Sequence, residues 1–171
     1  MRKIAKQMAT VYLFRNSDLR LQDNKALNHA LSIGNPIIFV SCIDSINEWN
    51  RKWFNFPAWG EKRQIFKLQA LSDLNTRLSA INNTKNALQI NQNSALESLR
   101  PLFEATKISH LVAQEEVGNF EEIEQAEIVS LCEKYGVKSS FIWDSTMLDV
   151  KKQFGAAQAG GSQGGSPNGI V

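Results

Sequence analysis

The chain has 171 residues, of which 43% are hydrophobic and 21% charged, enough for one domain with a sizeable core. Its formal net charge of +2 predicts no general affinity for nucleic acids or membrane surfaces. No apolar stretch approaches the roughly 20 residues of a membrane span, and the basic start precedes no secretory core with a cleavage site. We therefore expect neither a membrane segment nor a secretory leader, and the location is expected to be cytoplasmic or stays unknown.

Apolar segments alternate with helical patterns along the chain. Residues 11–14 form an unbroken apolar run, typical of a strand that is buried on both faces. Four further strands are predicted at residues 36–43, 87–91, 110–114 and 137–143. Helices are predicted between them, at residues 24–33, 61–81, 94–106 and 119–135. This alternation predicts an α/β fold with a parallel sheet, whose strand order the sequence alone does not determine.

Local signals predict the ends and the buried faces of the helices. Ser94 with Glu97 and Asn119 with Glu122 predict capping boxes, and Pro101 predicts a kink or two short helices. The predicted core face of the 61–81 helix consists of Ile65, Leu68, Leu71, Leu74, Leu78 and Ile81. That of the 119–135 helix consists of Phe120, Ile123, Ile128, Leu131 and Tyr135.

Charged residues cluster directly after the first strand, where ligands usually bind in open α/β sheets. The cluster consists of Arg15, Asp18, Arg20 and Asp23. It can hold an anionic ligand, or its members can form structural ion pairs, and we favour the ion pairs. The loop contains no glycine, so a Rossmann-type or P-loop phosphate cradle is not expected. Asp23 or Asn24 is predicted to cap the following helix.

Three other groups of residues are candidates for a site. Gln114, Glu115 and Glu116 follow the fourth strand at its carboxyl end, where Glu116 either contacts a ligand or is a solvated helix-start carboxylate. The connection at 45–60 carries aromatic residues that can stack on a planar ligand, but packing on the core or on a partner domain is preferred. His29 and His110 are expected to be structural, and Cys42 and Cys132 to be buried reduced thiols. Neither catalytic residues nor a metal site are expected.

Three segments resemble the cryptochrome/photolyase family, and they occur in the family's order. The segment that begins at Phe14, F-R-N-S-D-L-R-L-Q-D-N-K-A-L, resembles the family's opening F-R-N-D-L-R-x-x-D-N-x-A-L, with Ser17 as an extra residue. Residues 54–74 resemble the F-x-F-P-K-T-G run of DASH cryptochromes. Residues 141–148, F-I-W-D-S-T-M-L, are similar to the family's W-G-S-T-L motif.

The resemblance implies a five-stranded parallel Rossmann-like sheet of order 3-2-1-4-5, with helices on both faces, over residues 10–150. An extension at 1–9 precedes it, and a Gly/Ser-rich tail at 151–171 follows, which its composition predicts to be disordered. The resemblance identifies the chain as the N-terminal antenna-chromophore domain of a DASH-like cryptochrome/photolyase. The full-length family uses blue light to repair pyrimidine dimers or to signal. Structural or interdomain roles are then expected for Arg15, Asp18, Arg20, Asp23, Phe54 and Phe56.

The resemblance also implies cofactors and partners. Glu116 matches a glutamate that contacts a methenyltetrahydrofolate antenna, which we expect the isolated domain to bind weakly. FAD belongs to a helical domain that this chain lacks, and DNA is contacted through that domain. The chain alone is thus expected to be an inactive monomer. Two alternatives stay open: a free-standing nucleotide- or small-ligand-binding module, and an interaction domain that docks on a full-length cryptochrome.

Overall fold

The computed structural model describes residues 8–43, 52–53, 56–57, 59–144 and 146. Within these ranges the chain forms strands and helices in the order β1 (Ala9–Phe14), α1 (Lys25–Ser32), β2 (Ile37–Cys42), β3 (Lys52–Trp53), β4 (Phe56–Pro57), α2 (Glu61–Asn82), β5 (Leu88–Asn91), α3 (Ala95–Ala105), β6 (Ile108–Glu115), α4 (Asn119–Tyr135) and β7 (Lys138–Trp143). Phe54, the first seven residues and the tail at 151–171 lie outside the described residues. Phe56 lies in β4.

Five strands form one parallel sheet in the order β5-β2-β1-β6-β7, which confirms the predicted order 3-2-1-4-5. The central strand is β1, in which Val11 pairs with Ile38 of β2 and with Leu111 of β6. All six residues of β1 are buried, as the unbroken apolar run predicts. The short strands β3 and β4 form a separate antiparallel pair within the long connection before α2.

The alternating side chains of β1 point into two different apolar cores. On one face, Val11 and Leu13 belong to a core built with α3 and α4, which includes Leu99 and Ile128. On the other face, Tyr12 and Phe14 belong to a core built with α1 and α2, to which these helices contribute Ala26, Leu27, Ala30, Leu71, Leu74 and Leu78. Helices therefore cover both faces of the sheet, as predicted.

The predicted core faces of the two longest helices are partly wrong. In α2, Leu71, Leu74 and Leu78 are buried, but Ile65, Leu68 and Ile81 are 45%, 47% and 72% exposed. A charged residue, Lys67, is buried on this helix instead. In α4, Ile128 and Leu131 are buried with Cys132, whereas Phe120 and Ile123 are exposed. In both helices the buried apolar residues lie in the middle and second half, so the apolar residues of the first turns pack less on the sheet than the periodicity predicts.

The capping residues predicted from the sequence are confirmed at the start of α1 and α3, but not at the start of α4. Asn24 caps α1, because its side chain accepts a hydrogen bond from the Leu27 N–H, and Ser94 with Glu97 forms the predicted capping box of α3. The box predicted at Asn119 is wrong. The Glu122 N–H donates to the Gly118 carbonyl, so α4 begins one residue earlier and Asn119 is already in its first turn. The two short helices considered around Pro101 are also wrong, because α3 is continuous.

Both cysteines are free thiols. Cys132 is buried between α4 and the sheet, and burial raises its pKa to about 11, so the thiol is neutral at physiological pH. Cys42, at the end of β2, is only half-buried and is thus more accessible than predicted.

Candidate functional site

The charged residues predicted after β1 and β6 lie at the point in the sheet where the order of the strands changes direction. From β1 the chain crosses first to β2 on one side, and after β5 it returns to β6 on the other side. Parallel α/β sheets bind ligands in the crevice at such a point, outside the carboxyl ends of the strands. Here that crevice lies between the loop after β1, residues 15–24, and the loop after β6, residues 116–118. We refer to it as the β1–β6 crevice.

A buried ion pair joins the two walls of the β1–β6 crevice. Arg15 Nε lies 3.2 Å from Glu116 Oε2, and the two side chains are 4% and 10% exposed. Arg15 Nη2 also donates to Glu124 Oε2 at 2.7 Å and to the Glu121 carbonyl at 3.0 Å. The guanidinium therefore ties the end of β1 to the end of β6 and to the first turns of α4. Its third nitrogen, Nη1, is buried without a hydrogen-bond partner in the described structure.

The second carboxylate oxygen of Glu116 is held by the opposite loop. Glu116 Oε1 accepts hydrogen bonds from the Ser17 N–H at 3.1 Å and from the Ser17 hydroxyl at 2.5 Å. The amide of Gln114 supports the contact, because Nε2 donates to Ser17 Oγ at 3.3 Å. Both oxygens of Glu116 are thus bonded within the chain, and the carboxylate is not the solvated helix-start group that one sequence interpretation describes.

A chain of three oxygen atoms lies behind the ion pair. The Tyr12 hydroxyl oxygen is 2.7 Å from Asp18 Oδ2 and 3.0 Å from Asn24 Oδ1. Asp18 is completely buried, and its Oδ1 accepts from the Arg15 N–H at 2.6 Å. Asn24 Oδ1 is an acceptor only, since it also accepts from the Leu27 N–H. The Tyr12 hydroxyl is thus the hydrogen-bond donor toward both oxygens.

The interior environment of Asp18 raises the pKa of its carboxyl group. Burial raises its pKa to about 7, and the nearby charge of Glu116 raises the pKa further. Hydrogen bonds from Tyr12 and the Arg15 amide, together with the Arg15 charge, oppose the shift. Burial likewise raises the pKa of Tyr12, helped by the adjacent Asp18, so its hydroxyl keeps its proton. Below about pH 7, Asp18 and Tyr12 therefore form a neutral pair in the interior.

Arg20 and Asp23 form a separate cluster with a residue at the end of β7. Arg20 Nη2 lies 3.0 Å from Asp144 Oδ2, and Arg20 Nε donates to the Asp23 carbonyl at 2.9 Å. Asp144 Oδ2 also accepts from the Lys25 N–H at the start of α1. Asp23 contributes its backbone and adopts a φ of +48°, and Asn24, not Asp23, caps α1. This cluster fixes the loop after β1 to the edge of the sheet.

The amino group of Lys67 lies at the carboxyl end of β2. The buried Lys67 Nζ donates to Asn16 Oδ1 at 2.6 Å and to the Cys42 carbonyl at 3.2 Å. The guanidinium of Arg63 stacks 3.9 Å from the centre of the Trp59 ring, and Lys67 Nζ lies 5.2 Å from that centre. Trp59 of the aromatic connection is thus covered by cations of α2.

The structure brings Arg15, Asp18 and Glu116 together and places Arg20 and Asp23 at a neighbouring cluster. The sequence interpretation did not identify the partners that complete these contacts, which are Tyr12, Ser17, Asn24, Lys67, Glu124 and Asp144. Asp144 was the most accessible to prediction, because it follows the fifth parallel strand at the same edge of the sheet. The others required knowledge of which loops face each other.

The donor set can hold an organic ligand better than a metal ion. Among the described residues, no group of three or more His, Cys, Asp or Glu side chains could bind a metal. Glu116 can accept N–H groups of a heterocycle if these replace the Ser17 donors, and Arg15 Nη1 is an orphaned donor at the same place.

His110 lies near the amino end of β6, with Nδ1 3.0 Å from Ser109 Oγ, away from this crevice. No helix in the described ranges is long and apolar enough to cross a membrane.

Comparison with known sequences gives one family. The family profile described as DNA photolyase matches residues 10–159. Cryptochrome DASH of Xenopus laevis is 27% identical over 137 residues, which cover 80% of this chain and 26% of the relative. The chloroplastic/mitochondrial cryptochrome DASH of Arabidopsis thaliana is 41% identical over 69 residues, which cover 40% of this chain and 12% of the relative.

Solved structures with the same fold include photolyases and a cryptochrome. An archaeal photolyase from Sulfolobus tokodaii matches 80% of this chain with a TM-score of 0.65 and 25% identity. A cryptochrome from Synechocystis matches 84% with a TM-score of 0.75 and 22% identity, which shows the shared fold alone. The chain spans 29% of each of these structures and 26% of the Xenopus relative.

Proposed function

The chain belongs to the DNA photolyase family, whose N-terminal α/β domain it represents, and we propose that it is the antenna-chromophore domain of a DASH-like cryptochrome or photolyase. The observation that carries the proposal is the polar β1–β6 crevice on the family's sheet, with Glu116 and Arg15 at the ends of the two strands. In this proposal the chain collects light, whereas pyrimidine-dimer repair or photoreception belongs to the full-length protein.

We propose methenyltetrahydrofolate as the antenna ligand, contacted by Glu116. The amino-pyrimidinone edge of a pterin carries neighbouring N–H donors, and a carboxylate accepts such donors in charge-assisted hydrogen bonds. The described Glu116 carboxylate is bonded to Ser17 and Arg15, so the pterin has to displace one of these partners. Affinity in the isolated domain is therefore low. The Sulfolobus photolyase, which is described as holding two FAD molecules and implying a novel light-harvesting cofactor, makes FAD the second compound to test.

The proposed partner is a helical FAD-binding domain of the same protein. The matched relatives are about four times as long as the aligned part of this chain. Such a domain would cover the outer side of the crevice, hold the flavin and make the contacts with DNA. The isolated chain is then a monomer without catalytic activity, and it contributes no catalytic residue.

Docking on a separate full-length cryptochrome is a second candidate function. It is favoured by apolar side chains that are exposed next to the crevice: Val117 is 64% exposed, Phe120 43% and Ile123 51%. Contiguous exposed apolar patches are typical of an interface. Co-purification with a full-length homologue tests this function, and loss of the complex in Phe120→Ser with Ile123→Ser is the expected result.

Titration of the 171-residue chain with methenyltetrahydrofolate, followed by fluorescence, tests the antenna function. We expect weak binding, reduced at least tenfold by Glu116→Gln, because a hydrogen bond to a charged group contributes about 1.5–3 kcal/mol. Glu127→Gln, which changes an exposed glutamate of α4, is the matched control and should bind like the original chain. Circular dichroism must show that the Glu116→Gln variant remains folded. Equal affinities for both variants would remove Glu116 from the ligand site.

A further inference from the structure

Ser17 and the proposed ligand need the same oxygen atom of Glu116. The Ser17 N–H and hydroxyl both donate to Oε1, at 3.1 and 2.5 Å. A carboxylate oxygen has two lone pairs, so these two donors fill Oε1 completely. We propose that Ser17 is a built-in competitor for the Glu116 carboxylate, which lowers ligand affinity and has to leave Oε1 when the ligand binds. This inference rests on the proposed antenna function and concerns the regulation of the same site.

The two oxygens of Glu116 differ in how readily they can be released. Oε2 faces Arg15, whose guanidinium is 4% exposed and is also bonded to Glu124 and to the Glu121 carbonyl. Releasing Oε2 would break a buried ion pair, which is unfavourable. Oε1 faces Ser17, an exposed loop residue that water can solvate after it moves away. The exchange therefore takes place at Oε1, while the ion pair with Arg15 stays intact.

The same geometry defines the class of ligand. Two N–H donors on the same side of a heterocycle can replace the N–H and O–H of Ser17. An amino-pyrimidinone edge, as in a pterin, has such a pair. The corresponding edge of a flavin has a single N–H between two carbonyl oxygens, and those oxygens would repel the carboxylate. The crevice should therefore select pterins over flavins once Ser17 has moved.

Substitution of Ser17 tests the competition directly. Ser17→Ala removes the hydroxyl donor and keeps the backbone N–H, whereas Ser17→Thr keeps both donors. Ser32→Ala is the matched control, because Ser32 is an exposed serine whose hydroxyl bonds to the His29 carbonyl within α1. With methenyltetrahydrofolate as the probe, we expect about tenfold tighter binding for Ser17→Ala, since its competitor has lost a charge-assisted hydrogen bond. Ser17→Thr and Ser32→Ala should stay within about twofold of the original chain.

The outcomes separate this inference from the antenna function. If the original chain and Ser17→Ala bind with equal affinity, the competition is refuted and the antenna function stands. If neither protein binds, both are refuted. The Ser17 amide resonance gives a second readout in ¹H–¹⁵N spectra, because it loses its carboxylate acceptor when the ligand binds. A ligand-saturated chain in which this resonance has not moved would overturn the exchange at Oε1.

Discussion

Asp18 shows how one buried carboxyl group can be inert as a ligand and still matter for stability. It is completely buried between the Tyr12 hydroxyl, the Arg15 N–H and the nearby charges of Arg15 and Glu116. Burial is the largest cause of its raised pKa. The folded chain therefore holds a proton that the unfolded chain releases.

We expect the free energy of unfolding to decrease as the pH rises from about 4 to about 7, because the pKa of Asp18 rises from 3.8 in the unfolded chain to about 7 in the folded one. Between these values the folded state binds more protons than the unfolded state, so stability is lost with increasing pH. The shift corresponds to about 4 kcal/mol at most. Asp18→Asn keeps the hydrogen bonds without ionising, and should flatten this part of the profile. Urea unfolding at several pH values measures the free energy of unfolding of the original chain and of Asp18→Asn. If this free energy falls equally with pH in the two proteins, Asp18 is not the cause.

The Arg15–Glu116 pair should contribute to stability through the penalty of breaking it. Both side chains are at least nine-tenths buried, so Arg15→Met would leave a carboxylate in the interior without its cation. We expect a loss of about 3–5 kcal/mol in the free energy of unfolding. Arg77→Met is the matched control, because the Arg77–Asp73 pair on α2 is more than 60% exposed and should contribute below about 0.5 kcal/mol. Similar losses in the two variants would contradict the role of burial.

At the scale of elements, the helix starts offer a direct comparison of two similar sequence signals. Ser94 makes a capping box with Glu97 in α3, whereas the N-cap of α4 is Gly118, which has no side chain to cap the helix. Ser94→Ala should reduce the free energy of unfolding by about 1 kcal/mol. Asn119→Ala should change it by less than about 0.5 kcal/mol, as expected for a surface position without such a contact. Thermal or urea unfolding measures both, and a larger loss for Asn119→Ala would mean that Asn119 caps α4 after all.

The elements also show which parts of the fold the sequence predicts and which it does not. The apolar run of β1 predicts its central, buried position, because a strand covered by helices on both faces has no polar alternation. The face of α2 is less predictable. Its buried amine at Lys67 depends on the Asn16 side chain and the Cys42 carbonyl, which come from two other parts of the chain. Periodicity describes one helix at a time and carries no information about such partners.

Prediction of the candidate site from the sequence has the same limit. The spacing of Arg15 and Glu116 at the ends of two strands predicts that they lie on one edge of the sheet, which the structure agrees with. The saturation of Glu116 by Ser17 is a contact across a sequence separation of 99 residues, and only the three-dimensional arrangement reveals it. The role of Glu116 as a ligand contact stays a prediction.

For the whole molecule, the chain matches only part of the length of its relatives, and this limits the activity that we expect of the chain alone. It spans about a quarter of the relatives that it matches along most of its length. We expect the purified chain to carry no flavin absorbance and to leave pyrimidine dimers unrepaired under blue light. A yellow preparation with stoichiometric flavin, or measurable repair in a dimer-containing oligonucleotide, would contradict this expectation. A full-length homologue under the same illumination is the positive control.

The position of β1 in the middle of the sheet has a consequence for synthesis on the ribosome. Its partner on one side, β2, follows within about 30 residues, but its partner on the other side, β6, pairs Thr10 with His110, roughly 100 residues later. At a translation rate of about 5–20 residues per second, β1 waits on the order of 5–20 s with an unpaired apolar edge. During that interval the nascent chain presents an open strand edge to other nascent chains, so it should depend on chaperones that bind short apolar segments.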